Sequence, residues 1–376
     1  MILVTGPARS LVGGQSRHLD RLAAIAGRLG CKFEHVEIGR RAAEGGRLAM
    51  AARLLRDYRR VAMKIRTARA SRGRVADEPV VLHVNSSVQY ASLVRDIGFV
   101  AIGQLLHADL VIAQIHGCEL EGPRDRRRLL RLLAWMLVAA SDRVVVLGRS
   151  QATAIGGPAG AARIVPNTVV LQEPVRREAR GGAAAPLRLL YLARMIPEKG
   201  LLRCLEAACL LRDAGIPFRL TLAGEGPLLK ELPLRVRALR LESMVAVAGA
   251  VPWQQVRPLL SVHDLLWAPS TYAEGQPYAL LEALEAGMPA LACVPNAAMR
   301  ELVDACDGAL VPVAPDAQSL AALTVALAAA PGELARLQQL ARQTAERRFS
   351  VDAVVPAWGT VWSLPADASS AAQPAG

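Results

Sequence analysis

The sequence predicts an α/β protein with two doubly wound parallel sheets. Three observations indicate this class: short apolar, β-branched segments recur along the chain, helical periodicity fills the gaps between them, and this alternation stops once near the middle and then restarts. Hydrophobic residues make up 52% of the chain and aromatic residues only 4%. A composition so poor in aromatics and rich in Leu, Ala and Val is typical of helices that cover buried parallel strands.

The first half of the 376-residue chain contains five predicted strands. They are residues 2–5, 33–38, 80–84, 109–115 and 143–147. Apolar residues at helical spacing separate them, as in Leu19, Leu22 and Ile25, and Gly30 ends that helix. Strands that alternate with helices predict right-handed crossovers and a parallel sheet. We expect this first domain to span residues 1–171.

A second domain of the same architecture is predicted after a break. Residues 172–186 are rich in Gly, Ala and Arg and lose periodicity, which predicts a linker. The alternation then restarts over residues 187–350. The predicted strands are 187–193, 218–223, 244–251, 265–269, 290–294 and 309–313. A last apolar helix at about 351–364 can dock on another element, and residues 365–376 are predicted to be disordered.

Positive charge is unevenly distributed. The net charge of +12 indicates a polyanionic partner, a membrane surface or simply a basic proteome. The excess is concentrated in residues 40–74 and 124–131, and in the first stretch apolar residues such as Leu54 and Val61 lie between the cations as on an amphipathic helix. Such a helix can lie on anionic lipid or be a solvated surface helix, and the sequence leaves both open.

Several function classes are disfavoured by what the sequence lacks. The six cysteines have no CxxC spacing, which predicts reduced thiols in a cytosolic protein and no metal site. The strand-like start leaves no room for a secretory leader, and no apolar run is long enough to cross a bilayer. GxSxG, HExxH and P-loop patterns do not occur either. We expect a cytoplasmic protein without a metal or cofactor.

The most informative pattern lies in residues 268–294. An apolar strand runs into a polar turn with Glu274, and a short helix opened by Pro277 carries Glu282 and Glu285. Two carboxylates therefore flank a helix N-terminus at the carboxyl end of a strand, where open α/β sheets bind ligands and phosphate is favoured. On its own, the pattern fits a helix whose glutamates face solvent equally well.

The segment EGQPYALLEALEAGMPALA resembles the signature of two glutamates, separated by seven residues, of retaining GT-B glycosyltransferases. These enzymes belong to glycosyltransferase family 4, or glycosyl transferases group 1. In that family the first glutamate, here Glu274, faces the donor sugar, and the second, here Glu282, holds the ribose of the nucleotide. The backbone after the first glutamate lies against the sugar and phosphates. It is formed here by Gly275, Gln276, Pro277 and Tyr278.

The resemblance implies a GT-B architecture. Two Rossmann-like domains would face a cleft, with the acceptor on the first domain and the nucleotide sugar on the second. The helix at about 351–364 would cross back to complete the first domain.

Two cations follow the first strand of the second domain. In LYLARMIPEKG, Arg194 ends the strand and Lys199 precedes a helix, so both overhang the predicted ligand crevice. Cations there would stabilise a diphosphate, above all one that gains charge as it leaves. Surface cations at a helix start are the plain alternative. The family has the same Arg and Lys spacing and places both residues on the donor diphosphate.

Two glycine turns also resemble the family. TLAGEGP, with Gly224 and Gly226, matches the turn under the nucleotide base, and no third glycine follows to predict a dinucleotide site. Gly13 and Gly14 match a turn that faces the donor phosphates and the acceptor. Many α/β proteins have such a turn without a ligand.

A histidine completes the candidate residues. His116 ends the run DLVIAQIHG, where a histidine is more often structural than catalytic. The family has a His–Gly at this point, with the histidine on the donor sugar. Two segments depart from the family pattern: Thr168 stands where a glycine is usual, and Pro295–Asn296 replace a Gly-Gly, although Glu301 matches.

The resemblance therefore implies a retaining glycosyltransferase that uses Glu274, Arg194, Lys199 and His116. It would move a sugar from a UDP- or GDP-sugar to a hydroxyl of a glycan, a lipid-linked acceptor or a polysaccharide precursor. The Asp-x-Asp of metal-dependent transferases does not occur, which predicts a metal-independent reaction. The basic stretch 40–74 is compatible with a cytoplasmic protein that lies peripherally on the inner face of an anionic membrane.

Two alternatives remain. A nucleotide-sugar epimerase with the same fold would need no acceptor. A nucleic-acid binder is disfavoured, because the chain has no recognised binding motif and few aromatics for stacking.

Overall fold

The computed structural model divides the chain into two units. The first consists of Met1–Thr168 together with the chain from Val351 onward, and the second is Val169–Ser350. The first unit ends at Thr168 because the Val169 N–H donates to the Phe349 carbonyl at 2.7 Å, which ties the next residue to the second unit. The residues described are 1–9, 14–39, 47–71, 78–117, 128–156, 162–175 and 185–363. Residues 176–184 of the predicted linker and the predicted disordered tail lie outside them.

The first unit contains a six-stranded sheet in the order β2-β1-β3-β4-β5-β6, parallel throughout. Its strands are β1 Ile2–Gly6, β2 Phe33–Glu37, β3 Val81–Ser87, β4 Leu110–His116, β5 Arg143–Val146 and β6 Ala162–Ile164. The five strands predicted in this half are confirmed, with small shifts at their ends. The sequence missed β6, which has only three residues and is largely exposed, so no apolar run marks it.

Helices cover both faces of this sheet. They are α1 Gly14–Arg28, α2 Arg47–Ala70, α3 Tyr90–Leu105, α4 Arg128–Ala140 and α5 Arg149–Ile155. α2, α3 and α4 share a core with Leu3 and Leu82 on one face, while α1 packs on Ile2 and Val4 on the other. Neighbouring strand residues face opposite sides, so one strand contributes to both cores.

The second unit repeats the plan with strands in the order β12-β11-β10-β7-β8-β9, again all parallel. They are β7 Leu187–Leu192, β8 Phe218–Ala223, β9 Val245–Gly249, β10 Leu265–Ala268, β11 Ala290–Cys293 and β12 Leu310–Val313. All six strands predicted here are confirmed. The order reverses between β7 and β10, which makes the carboxyl ends of these two strands the topological switch point.

The helices of the second unit follow its strands in turn. They are α6 Leu201–Asp213, α7 Leu232–Ala238, α8 Trp253–Ser261, α9 Tyr278–Glu285, α10 Ala297–Asp304, α11 Ala317–Ala329 and α12 Pro331–Thr344. A π-helical turn, Ala345–Phe349, leads to α13, Val351–Trp362, which packs on α1 in the first unit and buries Trp358 and Trp362 there. The predicted fold class is confirmed.

Among the described residues, no single helix is both long enough and apolar enough to span a membrane. The helices Ala317–Ala329 and Pro331–Phe349 reach that length and hydrophobicity only when taken together, and the pair is bent by 104°.

Candidate active site

Two loops of the second unit meet at the topological switch point. The loop after β7 contains the short 3-10 helix Pro197–Lys199, and the loop after β10 lies against it. The Thr271 N–H donates to the Glu198 carbonyl at 2.8 Å. Gly200, with φ +77°, lies so close to the second loop that a Cβ would be 2.2 Å from the Pro269 carbonyl oxygen. A side chain at this position would push the loops apart, so glycine is required.

These loops bring together two cations and a carboxylate. Lys199 is 6% exposed and forms an ion pair with Glu274, whose side chain is 27% exposed. The Lys199 Nζ is 5.0 Å from the centroid of the Tyr272 ring, and the Arg194 Cζ is 5.3 Å from the same centroid. Burial lowers the pKa of Lys199 and nearby Arg194 lowers it further, while Glu274 acts in the opposite direction. Tyr272 was not predicted from the sequence, because a single aromatic in a polar turn carries no periodic signal.

Asn296 anchors the turn that carries Glu274. Its Oδ1 accepts the Met299 N–H at 2.9 Å and so caps α10, while its Nδ2 donates to the Glu274 carbonyl at 3.1 Å. An asparagine before an apolar helix is a typical N-cap, so the sequence did contain a signal for this role. The departure from the family pattern at this position therefore has a structural role here.

α9 follows directly from the Glu274 turn. Pro277 is its N-cap and Gly287, with φ +67°, lies just past its end, close to the predicted bounds. Tyr278 is buried, Gly275 is buried in the turn, and Glu282 is partly exposed. The structure thus places Glu274, Gly275, Gln276, Pro277, Tyr278 and Glu282 in one continuous turn and helix.

Glu285 differs from the solvent-facing alternative. It is buried, and its two carboxylate oxygens form ion pairs with Arg257 at 3.2 Å and Arg342 at 3.1 Å. It also accepts the Gln172 N–H at 2.9 Å. These contacts of Glu285 connect α9 to α8, to α12 and to the start of the second unit. The alternative that both glutamates of α9 face solvent is therefore wrong for Glu285.

The glycine turn after β8 lies beside the Arg194 loop. Gly224 and Gly226 have φ of +142° and +149°. A Cβ on Gly224 would be 1.9 Å from the Ala193 carbonyl oxygen, and one on Gly226 would be 2.6 Å from that of Met195. Both positions require glycine because the backbone around Arg194 packs directly on them.

His116 ends β4 in the first unit. Its Nε2 is 3.3 Å from the Asn85 Oδ1, and its ring contacts the edge of the His18 ring at a centroid distance of 4.6 Å. The Asn85 Nδ2 donates to the Thr5 carbonyl at 2.9 Å, so its Oδ1 faces His116 and accepts a hydrogen bond from the Nε2–H. Burial, followed by His18 and His83, holds the pKa of His116 well below its usual value. His116 is therefore a neutral hydrogen-bonding group with Nδ1 as its acceptor.

A buried network of hydrogen-bonded polar side chains lies next to His116. The Gln114 Oε1 is 2.7 Å from the His18 Nε2 and 3.0 Å from the His83 Nε2, and the Trp362 indole nitrogen is 3.3 Å from the His83 Nδ1. An indole N–H can only donate, so the His83 Nδ1 accepts and its Nε2 donates to Gln114. Burial lowers the pKa of His18 to about 4 and that of His83 to about 3. In the sequence, polar residues occupy alternate positions of two apolar strands. That pattern could have predicted this buried polar network.

The remaining candidate residues are in the first unit or outside the described ranges. Gly14 is the first residue of α1, whereas Gly13 lies outside the described residues. Within the described ranges, no group of three or more His, Cys, Asp or Glu side chains is placed to hold a metal ion.

This chain is similar to known proteins in sequence and in fold. Residues 176–344 match the family model "Glycosyl transferases group 1". The chain is 33% identical over 174 residues to the putative colanic acid biosynthesis glycosyltransferase WcaL of Escherichia coli K12, a match that covers 44% of this chain and 42% of WcaL. It is 32% identical over 171 residues to the amylovoran biosynthesis glycosyltransferase AmsK of Erwinia amylovora, with the same coverage. The chain thus spans less than half the length of these relatives.

A solved structure matches nearly the whole chain. Anabaena HepE in complex with UDP and glucose superposes with a TM-score of 0.68 at 17% identity, covering 96% of this chain and 98% of HepE. At this identity the likeness establishes the fold alone. Together with the family match, it confirms the predicted resemblance and the GT-B architecture.

Proposed function

We propose that this chain, whose residues 176–344 belong to the glycosyl transferases group 1 family, is a retaining glycosyltransferase that uses a nucleoside-diphosphate sugar. The cluster of Arg194, Lys199, Tyr272 and Glu274 at the topological switch point carries this proposal. In this cluster, Arg194 and Lys199 can bind an anion, and the adjacent carboxylate of Glu274 can accept hydrogen bonds from a neutral polar group.

The donor would lie along the loops of the second unit. Arg194 and Lys199 would hold its diphosphate, and Glu282 would accept hydrogen bonds from the ribose hydroxyls. Gly224 and Gly226 would lie under the base. The backbone of Gly275, Gln276, Pro277 and Tyr278 would line the sugar and phosphates. The UDP in the HepE structure supports a nucleotide donor, and UDP- and GDP-sugars are both candidates.

The chemistry needs no side chain as a general base. The acceptor hydroxyl oxygen would bond to the anomeric carbon on the face from which the phosphate oxygen leaves. The leaving phosphate oxygen would take the hydroxyl proton, and a nucleoside diphosphate would be released. Arg194 and Lys199 would stabilise the charge that develops on that oxygen without a metal ion. Glu274 would face the donor sugar.

The first unit would supply His116 and the turn at Gly13 and Gly14. Neutral His116, whose Nε2–H donates a hydrogen bond to the Asn85 Oδ1, would accept a hydrogen bond at Nδ1 from a hydroxyl of the donor sugar. The polysaccharide names of WcaL and AmsK support a glycan or lipid-linked precursor as the acceptor, on the cytoplasmic side of the cell.

A thermal-shift panel of UDP, GDP, ADP and their common sugars tests the donor site. Ligand at about a hundred times its Kd stabilises the folded state by about 2.7 kcal/mol, and we expect such a shift with one nucleotide only. Arg194→Ala and Glu282→Ala should abolish it, whereas Arg237→Ala, an exposed arginine on α7, should not. No shift with any nucleotide, or an unchanged shift in both site variants, would overturn the assignment.

A further inference from the structure

The helical layer formed by α2, α3 and α4 exposes large apolar side chains. α3 packs against both of the other helices, and the three cover one face of the first sheet. Their exposed large apolar residues are Met50, Leu55 and Met63 on α2, Tyr90, Val94 and Leu105 on α3, and Leu129, Leu132, Trp135 and Met136 on α4. Isolated exposed apolar residues are normal on a protein surface, but a cluster of them on adjoining helices indicates an interaction site.

Among the side chains that the structure describes, α4 exposes more large apolar ones than either of the other two helices. Leu129, Leu132, Trp135 and Met136 are 57%, 51%, 53% and 41% exposed. At 3.6 residues per turn these four positions fall on one side of the helix, and Leu130, Ala134 and Leu137 on the other side are buried. α4 is therefore apolar on its outward face as well as on its core face. A surface helix of a monomer normally has a polar outward face.

The exposed charged side chains of this helical layer are all positively charged. α2 carries seven arginines and one lysine against one aspartate, and α4 carries two arginines and no acid. The two aspartates of the three helices are both buried: Asp57 accepts the Gly39 N–H at 2.9 Å, and Asp96 is paired with Arg95 at 2.7 Å. The exposed side chains of these three helices thus include cations but no carboxylate.

We propose that the outward face of α2, α3 and α4 binds an anionic lipid surface. Leu129, Leu132, Trp135 and Met136 insert at the boundary between headgroups and acyl chains, where tryptophan is favoured. The arginines of α2, such as Arg59 and Arg66, lie in the negative potential of the headgroups. This face joins α2, which forms the described part of the predicted basic stretch 40–74, to α4, whose four exposed apolar residues make the proposed apolar contact.

The inference goes beyond the proposed function, because it does not depend on the donor or on catalysis. It does place a lipid-linked acceptor within reach of the first unit. Binding to lipid is measured without turnover, so its failure and the failure of the proposed reaction can be told apart.

Vesicle sedimentation tests the proposal with the full chain. We expect binding to vesicles of phosphatidylglycerol and phosphatidylcholine, and at least about tenfold weaker partition for the double variant Leu132→Ser, Trp135→Ser, because burial of large apolar side chains is lost. Arg59→Gln and Arg66→Gln should each weaken partition by roughly fivefold. The matched control is Leu234→Ser with Trp253→Ser, two residues of the second unit that are 72% and 59% exposed.

Tryptophan fluorescence locates the inserted face. Brominated lipids should quench part of the emission, and that part should be lost in Trp135→Phe and retained in Trp253→Phe. Equal binding of all variants, or equal binding to phosphatidylcholine alone, would overturn the proposal. So would self-association in the absence of lipid that Leu132→Ser, Trp135→Ser abolishes, because the face would then be an interface between copies.

Discussion

Lys199 and Glu274 form an ion pair across the topological switch point of the second sheet. Lys199 ends the 3-10 helix after β7, and Glu274 lies in the turn after β10. A bound diphosphate would offer Lys199 a second anionic partner and leave Glu274 available to a sugar hydroxyl. Before the donor arrives, the carboxylate keeps the buried ammonium paired, which limits the cost of burying a charge. The ion pair thus prepares both residues for the proposed donor.

The cations at this site can be tested directly. Arg194→Ala and Lys199→Ala should each lower kcat by on the order of 10²–10³, the usual effect of losing one donor to a developing anion. Steady-state kinetics with the donor found by the thermal-shift panel measure this, with exposed Arg237→Ala as the control. Turnover close to that of the unchanged protein in both site variants is incompatible with the proposed role.

Glu282 should act on donor binding alone. Hydrogen bonds to the ribose change little between the ground state and the transition state, so Glu282→Ala should raise KM for the donor and leave kcat nearly unchanged. Glu206→Ala, which removes an exposed glutamate on α6, is the matched control. A loss confined to kcat would argue against a ribose contact.

Two variants of Asn296 can distinguish its role as the N-cap of α10 from its hydrogen bond to the turn that carries Glu274. Asn296→Ala removes the α10 N-cap and should cost about 1 kcal/mol of stability. Asn296→Asp keeps a capping oxygen but loses the donor to the Glu274 carbonyl, so it should lower turnover while largely retaining the melting temperature.

A second helix provides the control for this pair of variants. Asp316 caps α11 by accepting the Ser319 N–H at 2.6 Å. Asp316→Ala should destabilise the protein to a similar extent without a specific effect on turnover. Full activity in Asn296→Asp would mean that the contact with Glu274 does not matter.

The sequence was sufficient for the fold because its strands are short apolar runs that are bounded by turn residues and alternate with helical periodicity. It failed at β6, a short and largely exposed strand that tertiary pairing with β5 creates. Its resemblance to a known family predicted Arg194, Lys199 and Glu274 as site residues, and the structure brings their side chains together around Tyr272 and in an ion pair. It missed Tyr272 and Gln114, whose roles depend on neighbours that are distant in the chain.

The role of Glu285 in stability also depends on residues that are distant in the chain, so it was not predicted from the sequence. Its spacing from Glu282 predicted a shared face, yet Arg257 and Arg342 arrive from other helices and make it a buried ion-pair centre. Glu285→Ala would leave two cations without their buried carboxylate, which should cost about 3–5 kcal/mol.

Thermal unfolding measures that loss. Glu333→Ala is the control, because it breaks the exposed pair of Glu333 with Arg336, where exposed ion pairs contribute little. A melting temperature for Glu285→Ala equal to that of the control would show that the buried pair adds nothing.

The buried histidines of the first unit predict acid sensitivity. Burial lowers the pKa of His18 from 6.5 to about 4 and that of His83 to about 3, so the unfolded chain binds protons in this range that the folded chain does not. Stability should therefore be highest above about pH 6.5 and fall as the pH drops towards about 4, by about 1.4 kcal/mol per pH unit for each histidine. Urea unfolding at about pH 7, 6 and 5 measures this slope. His18→Gln can still donate to Gln114 but cannot take up a proton, so its slope should be smaller by one histidine, whereas His107→Asn, at an exposed histidine, should keep the full slope. An unchanged slope in His18→Gln would mean that His18 is not held neutral in the folded state.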